Sequence, residues 1–216
     1  MNPSSLLGTK ILLADDHALV RMGFRLLLEG AGAHVVGEAA SGEEALRRYA
    51  ELAPDLLTMD VSMPGIGGLV ALERLRARCP EARVLMLSAH RDATIPVRAL
   101  KAGALGYLCK RCSPEEFLGG ICQVANGRRY IDRELAQEIA LAQLSGVADP
   151  AQALTDKEFA VFLRLAQGHS VTDIAGDFHL SASTVGTHLY HIKQKLNAGN
   201  AAELAVIAMR AGLIEA

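Results

Sequence analysis

Five times before residue 128 the chain repeats one alternation: a short run of β-forming residues, then a stretch with apolar residues at helical spacing. The strand candidates are KILLA (10–14), HVVGEA (34–39), DLLTM (55–59), RVLMLSA (83–89) and GYLC (106–109). Between them, LVRMGFRLLLEG (19–30) stops on Gly30, and GLVALERLRARC (68–79) stops before Pro80. Ser41 and Glu44 have the spacing of a capping box opening a helix to about Leu52, which Pro54 breaks. TIPVRALKAG (94–103) fits a helix whose Pro96 is tolerable only in the first turn. SPEEFLGGICQVANG (113–127) opens with a Ser cap, Pro at the first helical position and Glu at the third. Strands that each need a helical crossover before the next are parallel, so the pattern predicts a doubly wound, five-stranded α/β domain with helices on both faces. No internal sequence repeat accompanies it.

After Tyr130 the pattern changes. A weakly helical stretch to about Leu144 leads into SGVADPAQA (145–153), small, polar and punctuated by Gly and Pro, which reads as a linker. The remaining residues hold no convincing strand. Capping signals at Thr155/Glu158, Ser170/Asp173 and Asn200/Glu203 open three helices, and Ser181 opens a fourth. The expected organisation is an α/β domain over 8–127, a linker over 128–153 and a small all-helical domain over 154–216.

Bulk properties narrow the function classes. The 216 residues suffice for two modest domains, each with its own core. A formal net charge of −2 advertises neither nucleic acid nor an anionic membrane globally. No apolar run approaches the roughly 18 residues of a spanning helix, and MNPSSLLGTK lacks the pattern of a secretion signal. Four cysteines do not make a disulfide scaffold in a chain of this size. A soluble cytoplasmic protein is expected.

In a doubly wound sheet, ligands bind at the carboxyl ends of the strands. The first strand ends in Asp15 and Asp16, the third in Asp60, the fourth in Ser88, and Lys110 follows the fifth. Acids and lysines at strand ends are ordinarily solvated loop residues, but here they converge from four separated segments. Crowded carboxylates repel unless a cation compensates, and a hard divalent ion such as Mg²⁺ takes oxygen ligands. Mg²⁺ in turn favours a phosphate, whose oxygens Lys110 and Ser88 are suited to hold. Asp60 then stands as a nucleophile for a phosphoryl group.

LLADDH, LLTMDVSMPGIGGL, VLMLSAH and ALGYLCK resemble the receiver domain of bacterial two-component response regulators across nearly all of 8–127. The resemblance implies that Asp60 accepts a phosphoryl group from a sensor histidine kinase. It implies Mg²⁺ held by Asp16, Asp60 and the Ser62 backbone carbonyl, with Asp15 acting through water, and Ser88 and Lys110 on the phosphate. Tyr107 would move inward as Ser88 is drawn to the phosphoryl group. Arg111 stands where the wider family often has Pro, which makes a cis peptide there costly. Aspartate-nucleophile phosphatases carry a second Asp two residues after the nucleophile, where this chain has Ser62, so an enzyme of that kind is disfavoured. Cys109 and Cys112 form a C-x-x-C around Lys110, but zinc needs a second pair and buried small hydrophobes is the simpler reading.

Residues 154–196 have the shape of a helix-turn-helix unit. The helix from Ser170 places Val171, Ile174, Ala175 and Phe178 on one face. After a short turn, the helix from Ser181 buries Val185, Leu189, Ile192 and Leu196. Stepping about 100° per residue puts Ser183, Thr187, Tyr190 and Gln194 opposite, flanked by Gly186 and His191, on a face that would enter the major groove. With Thr184, Lys193 and Lys195 these are the expected DNA contacts. Residues 154–214 resemble the LuxR-type DNA-binding domain of the NarL/FixJ response regulators, through Leu154, Thr155, Glu158, Gly168, Ile174-Ala175, Ser181, Thr184-Val185, His188 and Lys195-Leu196. Such domains bind paired half-sites as dimers. MPGIGGL and RRYIDRELAQEIA are similar to the GacA/UvrY branch.

Three departures bear on affinity. Gly186 stands where a lysine or serine is frequent in the family, Tyr190 where a basic residue is frequent, and Ala160 where Glu is frequent. Residues 151–216 hold five Lys/Arg against six Asp/Glu, a balance of −1, whereas phosphate neutralisation normally drives DNA affinity. A weak monomer that needs dimerisation, a modest salt slope, and contacts to adenine and thymine rather than guanine are expected. His188 and His191 suggest a metal only weakly, since no third ligand is evident.

Three readings stand at this point. The first is a phosphorylation-switched, dimerising transcription regulator, not an enzyme beyond slow self-dephosphorylation, with DNA and RNA polymerase as partners. The second is a receiver acting by protein contact, with DNA binding weak or lost. The third is a stand-alone phosphatase-like enzyme.

Overall fold

The computed structural model describes residues 6–89, 94–144, 153–211 and 213–214. The 145–152 part of the expected linker lies outside the described residues. By chain contacts the molecule divides into two compact units, one of residues 1–89 and 99–136 and one of residues 90–98 and 137–216.

The strands are β1 (Lys10–Ala14), β2 (His34–Ala39), β3 (Leu56–Asp60), β4 (Val84–Ser88), β5 (Gly106–Cys109) and β6 (Tyr130–Ile131). They interleave with α1 (Ala18–Gly30), α2 (Gly42–Leu52), α3 (Gly67–Arg78), α4 (Thr94–Lys101) and α5 (Pro114–Ala125). The sheet is parallel throughout, in the order β2-β1-β3-β4-β5-β6. The expected count of five strands is thus corrected to six. β6 is two residues long and carries no alternation of its own; it exists because Tyr130 N–H donates to the Leu105 carbonyl (2.9 Å) and its backbone pairs with Gly106.

Every residue of β3 and β4 is buried, as befits central strands covered on both faces. Alternate residues Ile11, Leu13, Leu85, Leu87 and Leu108 form one cluster with Leu28 of α1 and Phe117, Ile121 and Val124 of α5. There the rings of Phe24 and Phe117 stack with centroids 4.2 Å apart. Burying a side chain such as Phe117 stabilises the fold by about 2–3 kcal/mol.

The helix starts follow their capping residues. Ser113 and Glu116 complete a reciprocal box on α5. At α2 the Ser41 hydroxyl accepts from Glu44 N–H, but Glu44 reaches past the cap to Ala40 N–H (2.9 Å), so the box closes one residue early.

α6 (Arg133–Leu144) follows β6, and α7 (Asp156–Ala166), α8 (Val171–Phe178), α9 (Ala182–Leu196) and α10 (Ala201–Arg210) build the helical unit. Thr155 and Ser170 form full capping boxes; Ser181 and Asn200 cap α9 and α10 through their side-chain oxygens. His179 and Asn197 end α8 and α9 in the left-handed region (φ 53° and 51°). Phe159, Phe162, Ile174, Val185, Ile192, Leu204 and Ala208 fill the core between these helices. Val171, Phe178 and Leu189, expected inside, are only half-buried. Among the described residues, no helix is long and apolar enough to cross a membrane.

Candidate phospho-acceptor pocket and reading helix

The strand order reverses beside β1, whose neighbours are β2 and β3. Ala14 pairs with Met59, so Asp15 and Asp60 leave the sheet side by side at the point where a crevice forms. Both are about 2% exposed, while Asp16 stands open to solvent. Lys110 reaches back from the end of β5 to lie 2.6 Å from Asp15 Oδ2 and 2.8 Å from Asp60 Oδ2. Ser88 is wholly buried at the end of β4, where its carbonyl accepts from Lys110 N–H (2.7 Å). Ser62, exposed on the following loop, donates its N–H to Asp60 Oδ1 (3.2 Å). Asp15, Asp16, Asp60 and Lys110 thus come together at the strand ends, and Ser88 adjoins Lys110 through its backbone. Tyr107, expected to move inward on phosphorylation, is already fully buried in β5.

Burial pushes the Asp60 carboxyl up, and the Lys110 ammonium only partly counters this. For Lys110 burial works downward, but Asp60 and Asp15 outweigh it and raise the ammonium. The two directions pull apart, since a stable ion pair would lower Asp60. The contact distances favour the charged lysine, whose two carboxylate neighbours are both within hydrogen-bond reach. Carboxylate and imidazole atoms of Asp15, Asp16, His17 and Asp60 lie within 4.8 Å of one another. Such an oxygen-rich donor set, with one cation already held against it, fits a hard divalent ion.

The C-x-x-C cysteines are free. Burial, with Glu116 nearby, pushes the Cys112 thiol up to about 11, which disfavours its thiolate.

On α9, Ser183, Thr184, Thr187, Tyr190, His191, Gln194 and Lys195 are exposed, and Gly186 and Lys193 half-buried. Tyr190 is a large ring left 62% exposed. Several of these groups are engaged within the unit. The Thr187 hydroxyl donates to Ser183 O (3.1 Å), Lys193 Nζ to Gly199 O (3.1 Å) and Lys195 Nζ to Glu158 Oε2 (2.6 Å). Glu158 is buried, which works to raise its pKa. The Lys195 ammonium and the Thr155 N–H and hydroxyl outweigh this and bring the carboxyl down to about 2. His188 is half-buried at the core edge.

Residues 11–121 match the family model described as response regulator receiver domain, and 152–208 the one described as bacterial regulatory proteins, luxR family. The chain is a response regulator of the LuxR family. It is 38% identical over 209 residues to the response regulator UvrY of Escherichia coli K12, covering 95% of this chain and 96% of that one. It is 39% identical over 210 residues to the response regulator GacA of Pseudomonas aeruginosa, covering 96% and 98%. A LuxR-family two-component response regulator from Aurantimonas sp. SI85-9A1 superposes with a TM-score of 0.61 at 39% identity, covering 63% of this chain and 99% of that one. RcsB from Salmonella enterica serovar Typhimurium, bound to promoter P1flhDC with phosphomimetic BeF3⁻, shares the fold (TM-score 0.71, 24% identity, 93% and 98% covered). This response regulator is accordingly a DNA-binding member of a two-component system, and its receiver implies a histidine kinase as phosphodonor.

Sequence reasoning missed two groups at the regulator's pocket. His17 Nδ1 lies 2.7 Å from Asp16 Oδ1 and 3.3 Å from Asp15 Oδ1. Arg21 donates from NH1 to the Asp15 carbonyl (2.5 Å) and from Nε to Glu38 (2.9 Å), tying the end of β1 to β2. The charged Glu38 within β2 was the available signal for that clamp.

Proposed function

We propose that Asp60 is the phospho-acceptor of a switch that governs dimerisation and promoter binding. The observation that carries it is the Lys110 ammonium, 2.6 Å from Asp15 and 2.8 Å from Asp60 in a crevice at the switch point of the sheet. Asp16, Asp60 and the Ser62 carbonyl would hold Mg²⁺, with Asp15 acting through water. The ion supplies charge neutralisation for the transferring phosphoryl group. An Asp60 carboxylate oxygen attacks the phosphorus of a kinase phosphohistidine; a P–O bond forms, the P–N bond breaks and the electron pair stays on the departing imidazole. Lys110, drawn from Asp60 to the phosphoryl oxygens, and the Ser88 hydroxyl then hold the product. Slow hydrolysis of the acyl phosphate resets the switch, so the protein is a regulator rather than an enzyme of turnover.

The receiver is assigned to 8–127 and the DNA-binding domain to 154–216, acting in the cytoplasm. Both lysines beside the reading face are occupied, by Glu158 and the Gly199 carbonyl. A monomer therefore holds few free cations for phosphates, which makes a homodimer on paired half-sites the binding species. Ser183, Thr184, Gly186, Thr187, Tyr190, His191 and Gln194 form the face toward the bases, with Lys193 and Lys195 at its edge. RNA polymerase is the further partner of the bound dimer.

The test is a genomic-fragment binding selection using full-length protein with and without beryllofluoride, alongside Asp60→Ala. A paired motif enriched by the mimic alone, and lost in Asp60→Ala, is expected. Enrichment independent of Asp60 would sink the switch. No enrichment in any arm would favour regulation by protein contact.

A further inference from the structure

The loop between β3 and α3 carries Ser62, and its middle is held from another helix. Ile66 N–H, at the start of α3, donates to Glu43 Oε1 of α2 (3.0 Å). Ile66 has no side-chain oxygen to cap α3, so the Glu43 carboxylate also supplies negative charge where the helix dipole favours it. The approach is close enough to dictate two glycines. A Cβ on Gly65, whose φ is +76°, would lie 2.3 Å from Glu43 Oε2. A Cβ on Gly42, which precedes Glu43, would lie 2.8 Å from Ile66 Cγ1 and 2.9 Å from the Gly67 carbonyl. Gly67 also sits at positive φ (+72°), so the loop has two residues free to take other conformations once it is released.

The ends of this loop are fixed by backbone bonds: Val61 N–H to Leu87 O (2.9 Å) and Gly68 N–H to Val61 O (2.9 Å). Between them, Ser62 must present a carbonyl to the metal while its N–H stays on Asp60. We propose that Glu43 is a positioning residue for the metal site. It touches neither ion nor phosphate, and acts by pinning Ile66 so that the 62–66 segment keeps the Ser62 carbonyl directed at the ion beside Asp60. The inference rests on the reading of this pocket as a Mg²⁺ site. It differs from general packing because the group that matters is one acceptor oxygen, which Gln also carries and Ala does not.

Full-length wild type, Glu43→Ala and Glu43→Gln are titrated with Mg²⁺ by calorimetry, and each is melted without metal. Outer partners of metal ligands typically contribute about 10-fold or more in affinity. Glu43→Ala should weaken Mg²⁺ by about 10-fold, and Glu43→Gln should stay within about 2-fold of wild type. Gly65→Ala, which drives the chain against Glu43 and strains the backbone at φ +76°, should produce a loss at least as large. Should the alanine variant not fold, Glu43→Asp carries the same question, since its oxygen falls one methylene short. Unchanged Mg²⁺ affinity in Glu43→Ala would overturn the proposal. So would a glutamine variant as defective as alanine, or a loss that merely tracks melting temperature. Failure of the wild type to bind Mg²⁺ would instead remove the pocket reading beneath it.

Discussion

The two units handle charge in opposite ways. In the receiver, Asp15, Asp60 and Lys110 come from separated strand ends and are pressed together at distances of 2.6 and 2.8 Å with almost no access to water. Lys110 offsets part of the cost of burying the two acids. On α9 the charged groups lie at the surface and already have partners of their own: Lys195 on Glu158 and Lys193 on the Gly199 carbonyl. In the receiver two acids share one buried cation, whereas the α9 lysines are each engaged singly near the surface.

The comparison breaks first at Lys110. Lys110→Ala should slow phosphoryl uptake from acetyl phosphate by about 10²-fold or more, because a fixed cation on the transferring group is lost. An unchanged rate would mean that the ion pair is only structural. Next is Gly68, where a Cβ would sit 2.0 Å from the Asp60 carbonyl. Gly68→Ala should destabilise the receiver by about 2–3 kcal/mol in urea unfolding, as overpacking against backbone does.

For the helical unit the sharper probe is acid. The Glu158 carboxyl lies near 2 when folded, below its unfolded value, so its stabilisation is complete above about pH 4.5 and is lost as pH falls toward 2. Lys195 is 37% exposed, which screens the pair and leaves about 2 kcal/mol. The stability gap between wild type and Glu158→Gln in denaturant should be near that at pH 7, shrink below about pH 4.5 and vanish only below about pH 2. The smallest effect is at Gly186, whose added Cβ would meet nothing within 4 Å. Gly186→Ala should stabilise the unit by about 1 kcal/mol, and a loss of promoter affinity in the same variant would place this position against DNA.

Much of this was legible because it is local. The helix starts follow Ser113, Thr155 and Ser170, each with an acid three residues on. The pocket followed from one rule about strand ends, since Asp15, Asp60, Ser88 and Lys110 each mark one. What stayed hidden depends on tertiary approach. Nothing in the pattern around Arg21 says that it reaches the Asp15 carbonyl, or that Glu43 will meet Ile66 once α2 and α3 close on Gly42. The Lys195–Glu158 pair is invisible for the same reason, and it alters what a count of basic residues means for DNA. β6 was missed because two residues have no periodicity to show.

That short strand has a consequence for how the chain can be divided. Tyr130 and Ile131 occupy the backbone donors and acceptors along the outer side of Gly106 and Tyr107, and the Tyr130 ring lies 3.0 Å from where a Cβ on Gly120 would be. A receiver fragment ending at Gly127 would leave that flank of β5 bare. It would offer an apolar template to any neighbouring polypeptide and be prone to self-association through strand addition. A fragment running to Ala136 keeps that flank of β5 covered by its own chain and should stay monomeric where the shorter one associates.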